Sequence, residues 1–449
     1  MCASHHGGRP YWPNTTGVTA RGRITIEVTH FTRRGEDMPR RVAVVGAGMV
    51  GLSTAWFLQE HGDDVTVFDR RDVAAGASWG NAGWLTPGLA TPLPEPAVLS
   101  YGVRAVLSPS SPVYVPPSAS PRLLRFLAGF ARNSTAARWR RSMEALVPIN
   151  GRALPSFDAL LEGGVRAETN EAGSFLAAYR TEEERRVLLE EIEHIRAAGQ
   201  ELEYEVLTGD EARRVEPALS EEIGAAILLR GQRFIDPGVF VHALADSVRD
   251  RGGKIRAGAD VTDVRDEPGG VAVRTGGSDF ETFDAVVLAS GVWLGGLARR
   301  FGVGALVQAG RGYSFSVPME RVPAGPVYFP AQRVACTPLG DRLRVAGMME
   351  FRRPEAPLDP RRIRAIVEAA RPLLRGADLG ARQDEWVGSR PCTRDGLPLI
   401  GATRSPRVFA AGGHGMWGIT LGPATGSLLA EMIATGRRPG ELDPFDPLR

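Results

Sequence analysis

The groups in this sequence best suited to chemistry are three glycines and one carboxylate close to the start of an apolar run. Gly46-Ala47-Gly48-Met49-Val50-Gly51 has the spacing G-x-G-x-x-G. In that spacing the first glycine makes a tight turn, the second lets backbone approach a pyrophosphate, and the third lets a helix pack closely on a strand. A helix that begins there turns unpaired N–H groups and its positive dipole end toward the phosphates. Asp69 lies eighteen residues beyond Gly51, where a carboxylate can accept hydrogen bonds from ribose hydroxyls. An acid rather than a base at this position argues against a phosphorylated ribose and leaves NAD or FAD.

These residues need a strand, a helix and a second strand to hold them, and the local pattern supplies all three. The β-branched run Val42 to Val45 stops abruptly at glycine, as a buried parallel strand does. "VGLSTAWFLQEHG" follows as a helix stopped by Gly62, and "DVTVFD" as a strand ending at Asp69. A short NAD-binding unit would continue with another helix and strand. Instead "AAGASWGNAGWLTPG", Ala74 to Gly88, is a small-residue loop that leads into a proline-rich passage. This reads as a loop lying along a long cofactor. Further strands are expected at Ala285–Leu288, ending in Ala289-Ser290-Gly291, and at Val408–Ala411. A glycine-rich turn and a helix from about Pro423 follow the latter, with backbone donors around Gly415 to Leu421. Two glycine-rich strand ends and a second helix terminus suit a flavin spanning a sheet edge.

At 449 residues the chain should form two or three domains. A formal net charge of +2 gives no electrostatic footprint for nucleic acid. Cys2, Cys336 and Cys392 lack metal-ligand spacing, and so sparse and odd a count fits a reducing, cytoplasmic compartment. Arg40-Arg41 before an apolar run imitates a twin-arginine export signal. It lies some forty residues into the chain, however, and has no small-residue cleavage site. Residues 1–37 are polar and aperiodic and read as a disordered leader, or as sequence upstream of a true start at Met38.

The segments "VVGAGMVGLSTAWFL", "SWGNAGWLTPG", "FIDPGVFVHAL", "RGYSFSVP", "VACTPLGDRLRVAGMMEF", "GSRPCTRDGLPLIG" and "GGHGMWGITLGPATG" occur in this order between Arg40 and Ile433. In them the chain resembles the FAD-dependent D-amino-acid dehydrogenase group of the D-amino-acid oxidase, glycine oxidase and sarcosine oxidase superfamily. The resemblance implies an α/β fold. It has a Rossmann-like FAD-binding domain of glutathione-reductase-type topology and an α+β substrate domain built on a mixed sheet. The expected FAD domain comprises 38–95, 232–304 and 385–449, and the substrate domain 96–231 and 305–384. Non-covalent FAD contacts are expected from Gly46, Gly48, Met49, Val50, Gly51, Asp69 and Arg70. The loop should add Ser78, Asn81, Ala82 and Gly83, and Val261 should offer its backbone to the adenine. Ser290, Gly291 and Trp293 should contribute after one strand, and Gly413, His414, Gly415, Met416, Gly418, Ile419 and Thr420 after another. In the second domain, Thr181…Glu184 and Thr208…Glu211 have capping-box spacing.

Oxidising an amino acid at Cα requires a clamp for its carboxylate, and arginine's planar fork is best suited to that task. The resemblance selects Arg390, in the "RP" pair, for the clamp and as a flavin neighbour; the rival reading is a buried arginine paired with an acid such as Asp395. Tyr313 is a candidate for the pocket roof, with plain core an equal reading, and Met349 for a pocket methionine, with ordinary packing the alternative. Arg311 reads as a partly exposed charge at a strand start, and Cys336 as core. Oxidase relatives carry a pocket tyrosine near Ala335, and some a second arginine near Met416. This chain has neither, so a roomier, more apolar pocket is expected. The implied activity is oxidation of a D-amino acid to an imine, with a secondary amino acid or glycine as alternative substrate. A flavin-binding scaffold without turnover is the alternative of another class. Oxygen, a quinone or a carrier protein could accept the electrons, and a peripheral contact at the inner face of a membrane stays open.

Overall fold

The computed structural model describes residues 39–96, 111–117 and 120–449. The leader reading of 1–37 and part of the proline-rich passage fall outside these. In chain order the strands that matter here are β1 (Arg41–Val45), β2 (Asp64–Phe68), β3 (Val113–Tyr114), β4 (Phe175–Tyr179), β5 (Tyr204–Thr208), β6 (Ala225–Leu229) and β7 (Lys254–Arg256). They continue with β8 (Ala285–Leu288), β9 (Gln308–Pro318), β10 (Val327–Phe329), β11 (Val334–Leu339), β12 (Arg342–Phe351), β13 (Gln383–Cys392), β14 (Leu399–Ala402) and β15 (Val408–Gly412). The principal helices are α1 (Met49–Glu60), α2 (Pro121–Asn133), α3 (Ala136–Glu162), α4 (Glu182–Ala197), α5 (Gly209–Val215), α6 (Pro237–Asp250), α7 (Pro360–Ala370) and α8 (Gly422–Thr435).

The first sheet has six strands in the order β7-β2-β1-β8-β15-β14, all parallel except β14. β1 and β8 are continuous apolar runs because both faces of this sheet are covered. One face packs against α1, α3, α6 and α8, and the other against the small strands at 261–283. α1 and α8 touch closely near their N-termini. A methyl group on Gly426 would lie 2.6 Å from the backbone of Ser53 and Thr54, so only glycine permits this approach.

The second sheet is mixed, in the order β13-β9-β12-β11-β10-β4-β6-β5, with β3 added beside β12. Its β10·β4 and β12·β3 pairs are parallel and the rest antiparallel. Helix α7 covers one face. β13 starts at Gln383 and pairs with β9 as far as Cys392, so residues 385–392 belong to this sheet rather than to the parallel one. Helix α3, placed by sequence with the second domain, buries Leu146, Ile149, Ala153, Phe157 and Leu160 in the core shared by α1 and α8. Apolar periodicity marks which face of a helix is buried and says nothing about its partner.

The capping signals behave differently at the two sites. Thr208 and Glu211 form the full reciprocal box at α5. At α4 the Thr181 side chain accepts from the Glu184 N–H, while the Glu184 carboxylate accepts from the Arg180 N–H instead of closing the box.

Candidate active site

A cleft of about 450 Å³ opens where the parallel strands β1, β2, β8 and β15 end, the place where open α/β sheets receive ligands. Gly46, Gly48, Met49 and Val50 line it after β1, Asp69 and Arg70 after β2, and Ser290, Gly291 and Trp293 after β8. His414, Gly415, Met416, Gly418 and Ile419 line it after β15, joined by Ser78, Asn81, Val261 and Arg390.

The chemistry of this lining suits a dinucleotide. Gly46 has φ 119°, and an added Cβ would sit 2.5 Å from the Ala289 carbonyl oxygen, so the turn admits only glycine. Gly48 gives α1 no side-chain cap of its own; the Met49 N–H donates to the Ser78 hydroxyl at 3.2 Å, and the N–H groups that follow it in the first turn remain for a ligand. The Asp69 carboxylate accepts from the Ala47 N–H and the Arg71 N–H, each at 2.9 Å. These bonds orient the carboxylate and leave lone pairs for ribose hydroxyls. Among the described residues the buried Ser290 hydroxyl has no hydrogen-bond partner, an uncommon state for such a group and one that a ligand oxygen would relieve. The Arg70 guanidinium lies 4.1 Å from the Trp293 ring centre, and the indole N–H donates to Glu355 at 2.7 Å.

Several expected contacts lie outside the lining. Gly51 is packing, since a Cβ there would be 1.9 Å from the Gly46 carbonyl oxygen. Ala82 gives its carbonyl to Thr337 at 2.6 Å, and Thr420 donates to the Trp84 carbonyl at 2.9 Å. Gly83 is in the left-handed region against Ile235, and Gly413 takes the same conformation beneath Thr393. These residues shape the loop and the turn around the cleft. The 79–82 loop is tied to the second sheet by Arg344, Ser314 and Thr337, which donate to the carbonyls of Trp79, Gly80 and Ala82.

Arg390 is half-buried in the cleft wall. Its guanidinium crosses over Gly312, where an added Cβ would be 2.3 Å from Nη2. Nη1 donates to the Met348 carbonyl at 2.8 Å. Burial lowers its pKa from the ordinary arginine value. Among the described residues no carboxylate lies within ion-pair reach of it. Asp395, the acid considered as its partner, is held instead by Arg449 at 3.1 Å.

Tyr313 and Met349 are not cleft residues. Tyr313 is 1% exposed, and its hydroxyl donates to Glu350 at 2.7 Å. Met349 packs among Phe126, Phe130, Phe351 and Cys392, its sulfur 3.9 Å from Arg390 Nη1. Arg311 is fully buried rather than partly exposed, paired with Glu350 at 3.0 Å, and Glu350 is equally buried. Glu350 has no special sequence signature; its role follows from strand pairing, which sets it directly across from Arg311. Tyr313→Phe should therefore cost about 1.5–3 kcal/mol of stability, the worth of a buried bond to a charged group. Thermal unfolding would register it, with kcat/KM per bound flavin unchanged. A hundredfold loss of kcat/KM would return Tyr313 to the reacting centre.

His414 bonds through Nε2 to the Thr425 hydroxyl at 2.9 Å, and burial pushes its pKa down to about 4, so the ring is neutral at physiological pH. Cys336 is fully buried among β-strand core residues, and burial pushes the Cys392 thiol up to about 12. Neither thiol lines the main cleft. Asp260, Thr262, Ser389 and Pro391 line it without having been anticipated. All four adjoin expected residues in sequence, which was the available signal.

A family model described as "FAD dependent oxidoreductase" (DAO) matches residues 41–432. A D-amino acid dehydrogenase of Cereibacter sphaeroides is 32% identical over 418 residues, covering 90% of this chain and 94% of that protein. One from Xanthobacter autotrophicus is 30% identical over 421 residues, covering 90% and 97%. Among solved structures, the glycine oxidase of Geobacillus kaustophilus superposes with a TM-score of 0.69 at 24% identity, covering 91% of this chain and 99% of its own. The L-proline dehydrogenase of P. horikoshii gives 0.67 at 18% identity, covering 92% and 98%.

Proposed function

The chain belongs to the DAO family of FAD-dependent oxidoreductases, and from that premise we propose that it oxidises the Cα–N bond of a D-amino acid. The observation that carries this reading is Arg390, a guanidinium at the cleft wall with a backbone acceptor on one side and, among the described residues, no carboxylate to neutralise it. A substrate carboxylate supplies the missing charge in a bidentate bond. Two relatives that this chain matches over 90% of its length are D-amino acid dehydrogenases.

FAD, when bound, accepts the hydride that leaves Cα. The chain's contribution is orientation and electrostatics. Arg390 fixes the carboxylate, and its bond to Met348 fixes Arg390. Its crossing of Gly312 sets the height of the substrate above the sheet. The neutral His414 is engaged with Thr425 and is no proton acceptor. The amine reacts unprotonated, its lone pair forming the C=N bond of an iminium as the hydride leaves Cα, and the iminium then gives up a proton to water to become the imine. The imine is then hydrolysed by water to a 2-oxo acid and ammonia.

The test is anaerobic bleaching of the flavin band by a panel of D-, L-, N-methyl and cyclic amino acids. Primary D-amino acids should bleach it fastest. Bleaching by secondary amines alone would move the assignment to that branch. No bleaching by any amino acid, in protein that carries FAD, would overturn the reading.

A further inference from the structure

The pairing of β9 with β12 breaks its regular register beside Arg390. Arg311 lies opposite Glu350 and Tyr313 opposite Gly347, so Gly312 alone faces both Met348 and Met349. This is a β-bulge on β12, and Met348 is its left-handed residue, with φ 67°. Glycine is the usual occupant of such a position, because a Cβ makes the conformation costly. Here the surroundings hold a methionine in it. Its side chain is 5% exposed in the core beneath α7, with Tyr313, Val345 and Ile366. The N–H of Met349 donates to the Pro112 carbonyl at 2.7 Å, where β12 exchanges β11 for β3 as its neighbour. The Met348 carbonyl accepts from Arg390 Nη1. Strain of this kind persists where a site makes use of it.

What the bulge does follows from the alternation of side chains along a strand. Ser314 pairs with Ala346, and Ser314 and Arg344 bond the carbonyls of Gly80 and Trp79, so these residues occupy the face toward the 79–82 loop. Arg390 shares that face, because it pairs with Gly310, and Gly310, Gly312 and Ser314 alternate along β9. An unbroken ladder running on from Tyr313 and Gly347 would set Met348 opposite Gly312 and Glu350 opposite Gly310, both with their side chains on this face. The guanidinium over Gly312 would then meet a methionine side chain and a carboxylate of its own sheet. The extra residue reverses the alternation. Glu350 turns to the other face, where it meets Arg311 and Tyr313, and Met348 packs there too. Met349 comes up in exchange, its sulfur 3.9 Å from Arg390 Nη1. We propose that Met348 is the positioning residue of the substrate clamp and works through its backbone: the left-handed bulge aims its carbonyl at Arg390 and keeps Glu350 off that face, so that Arg390 is held in place with its charge left to a substrate carboxylate. This rests on the proposed amino-acid oxidation.

The experiment measures kcat/KM of the holoenzyme for its best D-amino acid in a set of variants, normalised to bound flavin. Met348→Val keeps an apolar side chain but is β-branched and resists a positive φ. It should lower kcat/KM by roughly ten- to a hundredfold, the worth of a hydrogen bond to a charged group. Met348→Gly adopts the conformation freely and should stay at least about tenfold above the valine variant, although it removes the buried side chain. In an Arg390→Ala background the valine substitution should cost less than about twofold, since residues acting through one contact are not additive. A merely structural role would cost the same in both backgrounds. An equal loss in both, a glycine variant as slow as the valine one, or a valine variant as fast as the native enzyme would overturn the assignment. Should Met348→Val yield no flavoprotein, the glycine variant decides alone: kcat/KM at least about tenfold above that of Arg390→Ala upholds the inference, and less overturns it. A costly Arg390→Ala beside a harmless Met348→Val removes only this inference. A harmless Arg390→Ala, or no flavin reduction by any amino acid, removes the proposed function with it.

Discussion

Arg390→Ala should lower kcat/KM for the best amino-acid substrate by roughly a hundred- to a thousandfold, the usual cost of truncating one partner of a buried, hydrogen-bonded charge pair. The argument starts from what Arg390 lacks. Its Nη1 bonds the Met348 carbonyl, its plane lies across Gly312, and no acid of the described chain reaches it. Remaining donors of the fork are therefore available to the cleft. Losing them removes both the carboxylate's charge partner and its fixed orientation, so kcat should fall along with the rise in KM. Arg390→Lys should recover only part of the loss, because a point charge cannot hold Met348 and both carboxylate oxygens in one plane. Flavin reduction kinetics under anaerobic conditions would check this, with the flavin spectrum confirming that cofactor is retained. A change below about fivefold would mean that the carboxylate is held elsewhere, or that the substrate has none.

Gly48→Val should yield a folded protein that loses FAD, with affinity lower by two orders of magnitude or so, the worth of about two hydrogen bonds to a charged group. The backbone at Gly48, φ −87° and ψ −178°, is open to any residue. A Cβ there meets only the Ser78 hydroxyl, at 3.2 Å. The apoprotein accepts the substitution with a shift of the Ser78 hydroxyl by a few tenths of an ångström, whereas the branched side chain occupies the space through which a pyrophosphate approaches the first turn of α1. Gly51→Val differs in kind, because its Cβ would meet the Gly46 carbonyl at 1.9 Å and the fold itself would give way. Comparing far-UV circular dichroism, apoprotein melting and flavin titration separates the two. Full flavin occupancy in Gly48→Val would show that the pyrophosphate runs elsewhere.

Local signals identified what is local. The glycine spacing, the apolar run before it and Asp69 at the next strand end were enough to place a nucleotide cleft. Those residues are tied together by adjacent backbone, as the bond from the Ala47 N–H to Asp69 illustrates. Strand and helix positions such as β8, β15, α6 and α8 were likewise visible from β-branched runs, glycine stops and proline at a helix start. The family followed from seven such segments in order, and the match over residues 41–432 agrees with it.

Choices between equal side chains were made only in three dimensions. By sequence, Arg311 and Arg390 are both strand arginines beside glycine and proline. Register puts Arg311 across from Glu350, where it is neutralised and buried, and sends Arg390 over Gly312 into the cleft. Tyr313 was lost to the pocket for the same reason, because Glu350, thirty-seven residues away, captures its hydroxyl. Sequence therefore determined the cofactor and the class of chemistry, which depend on backbone conformation over short stretches. The tertiary structure decided which charges are spent on one another and which remain for a substrate, because Coulomb interactions and desolvation depend on distances that only the packing of remote segments sets.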